Sequence, residues 1–517
     1  MPRDSSILSA GLSRRLFLKR LGQTTAATVA VGALAPPATL QAQPRPAPAL
    51  KVTDDLPFTS ALNMAEMIRE KRISAKELLH LHLDRIAAVN PQLNAVVLLA
   101  EERAILEAEE ADRLTARGIS RGPLHGVPFT IKDSFDTVGL VSTGGTKGRK
   151  QFIPGRDATV VARLREAGGI LMGKTNTPEF TLSGITDNLI YGKTINPYKP
   201  NHSPGGSSGG AGAIIAAGGT PFDIGTDFGG SIRGPSHLCG ISGIKPTAFR
   251  APRTGHIVDY GGVFDRYQQP GPMARYVEDL YLILKIISGP DRFDAGIIPM
   301  PLYDPANVDF RSLRVAWFVN NGSETEPTPE TADAIATAVS VFAPRVRTIR
   351  EDCPTELLFE LESARRDLSR ADGRAWVRRL VEKSGTTVTA PNLDTGDGEE
   401  VSADEFTHIV ERLDSAKSKL LTWLKDYDLV ICPVMPGPAP EYNDDMYVRR
   451  PPNPAEVSFM GSFNTTGWPG AVCRAGTSPD GLPIGVQFLA QPWREDIAIA
   501  AAAAVEAETG GWQMPPL

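Results

Sequence analysis

The stretch PGGSSGG, residues 204–210, decides how this chain is read. Six of its seven residues are glycine or serine, which is also the composition of a flexible linker. A linker joins self-sufficient bodies, however, and here apolar structure closes in at once. GGAGAIIAAGG (209–219) fits a helix that starts inside the motif, and FDIGTD (222–227) reads as a strand. A spacer would cut that unit in half. Glycines ahead of a helix have another use: they admit positive φ, let backbone or ligand come close, and leave N–H groups free for an anion. A second such place follows at Phe228-Gly229-Gly230-Ser231. A serine placed directly after consecutive backbone donors suits a nucleophile beside an oxyanion hole.

Outward from this block the chain alternates between strands and helices. GVPFTI (126–131) and GILMGKT (169–175) read as buried strands, and DATVVARLREAGG (157–169) as a helix with Asp157 at its N-cap. Alternation of this kind predicts an α/β fold with a largely buried sheet. Upstream, ISAKELLHLHLDRIAAV (73–89) predicts a helix with a capping box, Ser74 with Glu77, and an apolar stripe of Leu79, Leu83 and Ile86. His80 and His82 are expected on its solvated side. In the central region, about 291–425, the pattern predicts a strand over 314–318 and helices over 331–345 and 355–382. The polar, acidic segment 384–406 reads as loop. Toward the end, DLVICPV (428–434) predicts a strand, TSPDGLP (477–483) a turn between two strands, and DIAIAAAAAVEAET (496–509) an Ala-rich helix.

The 517 residues are 41% hydrophobic and 22% charged, the make-up of an ordinary globular protein, with a formal net charge of −6. The first 42 residues hold five basic side chains and one acidic, which leaves 49 basic against 59 acidic for the rest, a net −10. A surface of that sign disfavours nucleic acid as a partner. Within the leading segment, Arg14 and Arg15 stand ahead of a moderately apolar Ala/Gly/Thr-rich run from Leu21 to Ala35, which resembles a twin-arginine export signal. The organisation expected is a signal over 1–42, a Pro-rich tether over 43–59, and a single domain over 60–517. Cleavage after Ala42 and a periplasmic or secreted address are expected, with no stable membrane insertion once the signal is removed. A homodimer is compatible with such a domain. Four cysteines, Cys239, Cys353, Cys432 and Cys473, lie far apart without C-x-x-C or clustered histidines, so neither a metal nor a cofactor is expected. Cys239 and Cys432 sit in apolar contexts and read as small core residues.

Two other chemistries compete for the glycine–serine block. GGSSG (205–209) matches the G-x-S-x-G nucleophile elbow, which needs an acid and then a histidine downstream. Only His237, His256 and His408 follow it, none in a strand-end loop near the C-terminus. A phosphate cradle would need G-x-x-x-x-G-K-[ST], which is missing.

The motifs together resemble the amidase signature family. PGGSSGGAGAIIAAGGTPFDIGTDFGGSIRGPSHLCGISGIKPT (204–247) is similar to that family's signature block nearly residue for residue, and HGVPFTIKDSFD (125–136) to its lysine segment. Further similar pieces are GKTNTPEF (173–180), NPYKP (196–200), GPMARYVEDL (271–280), CPVMPGPAP (432–440) and FNTTGWPGA (463–471). The resemblance implies a large mixed twisted sheet flanked by helices on both faces and a Ser–Ser–Lys triad. In that triad Ser231 is the nucleophile, Ser207 the bridge and Lys132 the base, with a cis peptide bond before Ser207. Lys132 and Ser231 lie 75 and 24 residues from Ser207. It also implies oxyanion donors at the N–H groups of Phe228, Gly229, Gly230 and Ser231, and supporting roles for Ser208, Thr226, Asp227 and Arg233. A lysine near its ordinary pKa of about 10.4 cannot accept a proton at neutral pH, so the base role requires burial to push it down. Asp133, next along the strand, should face away. Phe228 is bulkier than the family's usual Thr, Val or Ile, and Gly234 replaces a larger residue, so both bear on the acyl pocket. Thr181 falls where the fatty-acid-amide branch lines its pocket. The activity implied is hydrolysis of a small-molecule amide, with related esters or carbamates, through an acyl-enzyme on Ser231. The alternatives are a non-catalytic periplasmic binding protein and an A-type amidotransferase subunit. A binding protein leaves the spaced lysine and serines without a purpose, and an export signal disfavours the amidotransferase.

Overall fold

The structure, a computed structural model, describes residues 56–258, 263–396, 398–447 and 453–517. The export segment with Arg14 and Arg15, the cleavage position and the tether up to residue 55 lie outside the described residues. All described residues fall in one compact unit.

The alternating apolar runs become eleven strands among the described residues. They are β1 (Val96–Leu99), β2 (Pro128–Lys132), β3 (Ile170–Thr175), β4 (Phe222–Asp227), β5 (Ser242–Lys245), β6 (Gln269–Ala274), β7 (Arg314–Trp317), β8 (Thr348–Glu351), β9 (Leu429–Pro433), β10 (Gly470–Thr477) and β11 (Pro483–Ala490). Eight form a mixed sheet in the order β4-β6-β5-β10-β11-β9-β7-β8. Pairings from β4 through β9 are antiparallel, and β7 pairs both β9 and β8 in parallel. The turn read at 477–483 joins β10 to β11, with Thr477 opposite Pro483. All eight residues of β11 are buried, so helices cover both of its faces, which is why its sequence shows an apolar run rather than strict alternation. The fold is α/β, with a large mixed sheet between helices, as the sequence implies. A smaller sheet, β1-β3-β2, stands apart from it. Asp223 on β4 ties the two together by accepting from Thr130 Oγ1 at 2.7 Å and Thr175 Oγ1 at 3.0 Å.

Several local expectations need correction. Ser74 and Glu77 form the capping box expected of them, but His82 is fully buried rather than solvated. Its Nδ1 lies 3.1 Å from the Gly218 carbonyl, and burial pushes its pKa down to about 3. The helix Thr159–Glu166 is capped by Ala158. Asp157 instead accepts from Arg165 at 2.8 Å and from Val138 N at 2.7 Å, the second a contact that local sequence cannot anticipate. The run 355–382 is two helices, Thr355–Arg370 and Ala375–Lys383, broken where Gly373 and Arg374 take positive φ. Segment 384–406 ends inside a helix, Ala403–Leu424, whose N-cap Ser402 accepts from Glu405 N. Its polar first turn hid a buried stripe of Ile409, Leu413, Ala416, Leu420 and Leu424. These central helices form a second apolar core with Phe459, Phe463 and Trp468. No helix among the described residues is long and apolar enough to cross a membrane, and all four cysteines are free.

Candidate active site

Strand β2 is buried along its whole length and ends on Lys132, so an apolar strand carries an amine into the interior. Strand β4 lies beside it and ends on Asp227, leading directly into the Phe228–Ser231 turn. Between them in sequence, residues 204–208 enter the buried helix Gly209–Ala216. Glycine is required there for close approach: a Cβ on Gly210 would lie 2.4 Å from Asn176 N. Gly230 combines φ +129° with a Cβ position 2.6 Å from Met460 Sδ. The peptide bond between Gly206 and Ser207 is cis.

Lys132 is 0% exposed. Its Nζ lies 2.6 Å from Ser207 Oγ, 2.9 Å from Ser208 Oγ and 3.0 Å from Thr226 Oγ1, donating to these hydroxyls. An ammonium would donate to all three, whereas a neutral amine donates to two and accepts from the third hydroxyl. Among the described residues no carboxylate reaches the amine as a salt-bridge partner. Burial pushes its pKa down to about 7, against the opposing pull of Asp223 and Asp227. Lys174, also buried, keeps Asp133 at 3.9 Å and is lowered only to about 8. Asp133 itself accepts from Thr143 and makes no contact with the serines.

Asp227 and Arg233 hydrogen-bond to each other at the turn. Arg233 donates from Nε to Asp227 Oδ2 and from Nη2 to Asp227 Oδ1, both at 3.0 Å, and from Nη2 to the Met460 carbonyl at 2.8 Å. Burial alone would raise Asp227, but the guanidinium beside it holds its pKa below the ordinary value. One expectation for this turn fails. Gly230 N–H donates to Asp227 Oδ1 at 2.7 Å, so it is engaged in holding the loop and is not a free oxyanion donor.

A cavity of about 330 Å³ opens over the turn, lined by Gly206 and by Phe228, Gly229, Gly230 and Ser231. Ser207 and Lys132 lie outside its lining. Among the described residues no hydrogen bond joins Ser231 to Ser207. Thr181 is on the cavity wall, with φ +61° and a buried Oγ1 that has no partner, and Phe228 faces it from the turn. Gly234 lines the cavity, and a Cβ there would meet Met460 Sδ at 3.5 Å, an ordinary contact. No histidine among the described residues hydrogen-bonds to any of the three serines. His237 sits 2.9 Å from the Gly437 carbonyl and accepts from Gly485 N, and His408 is exposed.

Sequence reasoning missed the rest of the site. Asp223 is buried with Oδ1 unpartnered, and burial pushes its pKa up to about 7. Asn464 donates to the Asp227 carbonyl at 3.0 Å. Trp376 closes one cavity wall, with its ring centroid 6.2 Å from that of Phe228 and 5.3 Å from that of Phe264. Asp223 lies inside the FDIGTD strand, where an acid at an inward position was a usable signal. Trp376 comes from the weakly patterned central region and offered none.

Comparison with known proteins bears on the family and the fold. The profile of the Amidase family matches residues 77–498. An indoleacetamide hydrolase of Bradyrhizobium diazoefficiens is 34% identical over 472 residues, covering 87% of this chain and 86% of its own. The A-type subunit of the glutamyl-tRNA(Gln) amidotransferase of Roseiflexus sp. is 34% identical over 470 residues, covering 83% of this chain and 92% of its own. The solved structure of 6-aminohexanoate cyclic dimer hydrolase complexed with substrate superposes with a TM-score of 0.77 at 29% identity, covering 88% of this chain and 98% of that one. Fold and comparisons together define an α/β enzyme that hydrolyses amides. The chain belongs to the amidase family.

Proposed function

We propose that the chain cleaves a small carboxamide to acid and amine through an acyl-enzyme on Ser231, with Ser207 and Lys132 as proton relay. The observation that carries this reading is the buried amine 2.6 Å from Ser207 Oγ with its pKa lowered to about 7. Neutral Lys132 accepts the Ser207 proton while Ser207 takes the Ser231 proton, and Ser231 Oγ adds to the amide carbonyl. The N–H groups of Phe228, Gly229 and Ser231 receive the oxyanion; losing one such donor costs about 10²–10³ in rate. Collapse of the adduct breaks the C–N bond, and the relay returns its proton to the leaving amine. Water then repeats the addition and frees the acid. The Ser207–Ser231 contact forms when substrate fills the cavity, because catalytic hydrogen bonds tighten only in the reacting complex.

Treatment with a fluorophosphonate tests this directly. Peptide mapping is expected to find the adduct on Ser231; an adduct on another serine, or amide turnover by unlabelled protein after full exposure, would refute the nucleophile. A reading as an amidotransferase component is favoured by the Roseiflexus relative, but the −10 charge beyond residue 42 disfavours a tRNA surface. We also infer export by the twin-arginine route, supported by Arg14, Arg15 and the apolar run that follows them. Replacing both arginines by lysine is expected to retain the protein in the cytoplasm, measured by fractionation. Unchanged periplasmic yield would overturn the inference.

A further inference from the structure

A second cavity, of about 470 Å³, adjoins the first and shares Arg374, Met435 and Met460 with it, so a rim of three side chains separates them. Its wall carries four arginines, Arg365, Arg366, Arg370 and Arg374, against two glutamates, Glu362 and Glu456. Three of the arginines follow from the helix Thr355–Arg370: positions 366 and 370 are one turn apart, and 365 flanks them.

The existing partners divide these charges unevenly. Arg365 donates from Nε to Glu362 at 2.9 Å, and Arg366 donates to the Glu456 carbonyl at 3.0 Å. Arg374 pairs with Asp394 at 3.1 Å. The Glu456 carboxylate accepts from Thr325 N at 3.1 Å and Thr325 Oγ1 at 2.7 Å, which leaves it directed at a loop rather than at a guanidinium. Arg370 is exposed and has no carboxylate partner among the described residues. It lines this cavity and also a third one, of about 290 Å³, that shares Arg374 and Asp394 with the first. The third cavity carries Asp394, Glu399 and Glu400 and so repels an anion, whereas on the side of the arginine-lined cavity the five donors of the Arg370 guanidinium match a planar carboxylate.

We propose that the arginine-lined cavity is a subsite for a carboxylate carried by the substrate at a distance from the scissile amide, with Arg370 as the residue that receives it. The inference rests on the first cavity being the hydrolytic site. The substrate class is then narrower than carboxamides at large: small amides bearing a terminal carboxylate, on the acyl or the amine side. The neighbouring arginines raise the local positive potential without being displaced from their own partners. Both ends of such a molecule are satisfied at once, the amide at the Phe228–Ser231 turn and the acid at Arg370.

Two matched substrate pairs test this: glutaryl para-nitroanilide against pentanoyl para-nitroanilide for the acyl side, and para-acetamidobenzoate against acetanilide for the amine side. The expected result is a KM lower by about five- to tenfold for the charged member of one pair, the range of a partly exposed charge-assisted bond. The preference should shrink with added salt. Arg370→Ala should erase it, with kcat unaltered and the neutral member as control, and Arg370→Lys should retain part of it. No preference in either pair, a preference that survives Arg370→Ala, or an equal loss on charged and neutral substrates would each overturn the subsite. Failure of the hydrolytic reading looks different: the neutral anilides would not be turned over by the wild type at all.

Discussion

Ser231→Ala is expected to lower kcat on a simple anilide by at least about 10⁴-fold, with little change in KM, because loss of a nucleophile that works as part of a unit removes nearly all of the unit's contribution. The fold should survive intact. Ser231 is half-buried, and its hydroxyl makes no hydrogen bond among the described residues, so its removal leaves no buried partner unsatisfied. The cavity and the Asp227–Arg233 brace are untouched, so substrate should still bind. The checks are steady-state kinetics beside a thermal melt. Turnover within tenfold of wild type, with an unchanged melt, would eliminate Ser231 as the attacking atom.

The second large effect is expected at Lys132. Lys132→Met keeps the length and burial of the side chain while removing the base, and should cost about 10³-fold in kcat/KM, within the range of general base catalysis. Its pH signature is sharper than its size. The base must be neutral, and burial places the Lys132 pKa at about 7. In the wild type, then, kcat/KM should fall about tenfold per unit as pH drops below about 7, and level off above it. That acid limb should be absent in Lys132→Met. Asp223→Asn provides the matching test of direction. The Asp223 charge favours the ammonium form, so its removal should move the midpoint of the limb to lower pH. Asp223, whose own pKa burial raises to about 7, titrates in the same window, so the wild-type limb belongs to the Lys132–Asp223 pair and Lys132→Met isolates the share of the amine. Asp227 stays ionised beside Arg233, and His256 stays neutral through burial, with its pKa lowered to about 3. A limb that survives Lys132→Met, or a midpoint that rises in Asp223→Asn, would place the titrating base elsewhere.

Strand β2 shows how far sequence alone reached. An apolar pentad ending in lysine dictates a buried strand with a desolvated amine, because nothing else in the run can bring water to it. The glycine density at 205–210 and the glycine at 230 likewise announced close approach, since only glycine tolerates the backbone atom that lies 2.4 Å from a Cβ position on Gly210. These are local constraints, written in residue type and spacing. The helix pair 355–383, Trp376 on the cavity wall and the partnership of Asp157 with Val138 N were decided by the tertiary structure. In each case the deciding contact is remote in sequence or lies at a break that propensity does not register, such as Arg374 in a left-handed conformation. The same holds for Gly230. Its position after Gly229 suggested a free donor, and only the folded turn, drawn in by Asp227 and Arg233, shows that its N–H already has an acceptor. Covalent order thus determined which groups are present and where the chain turns, while packing determined which of their hydrogen-bonding atoms remain available.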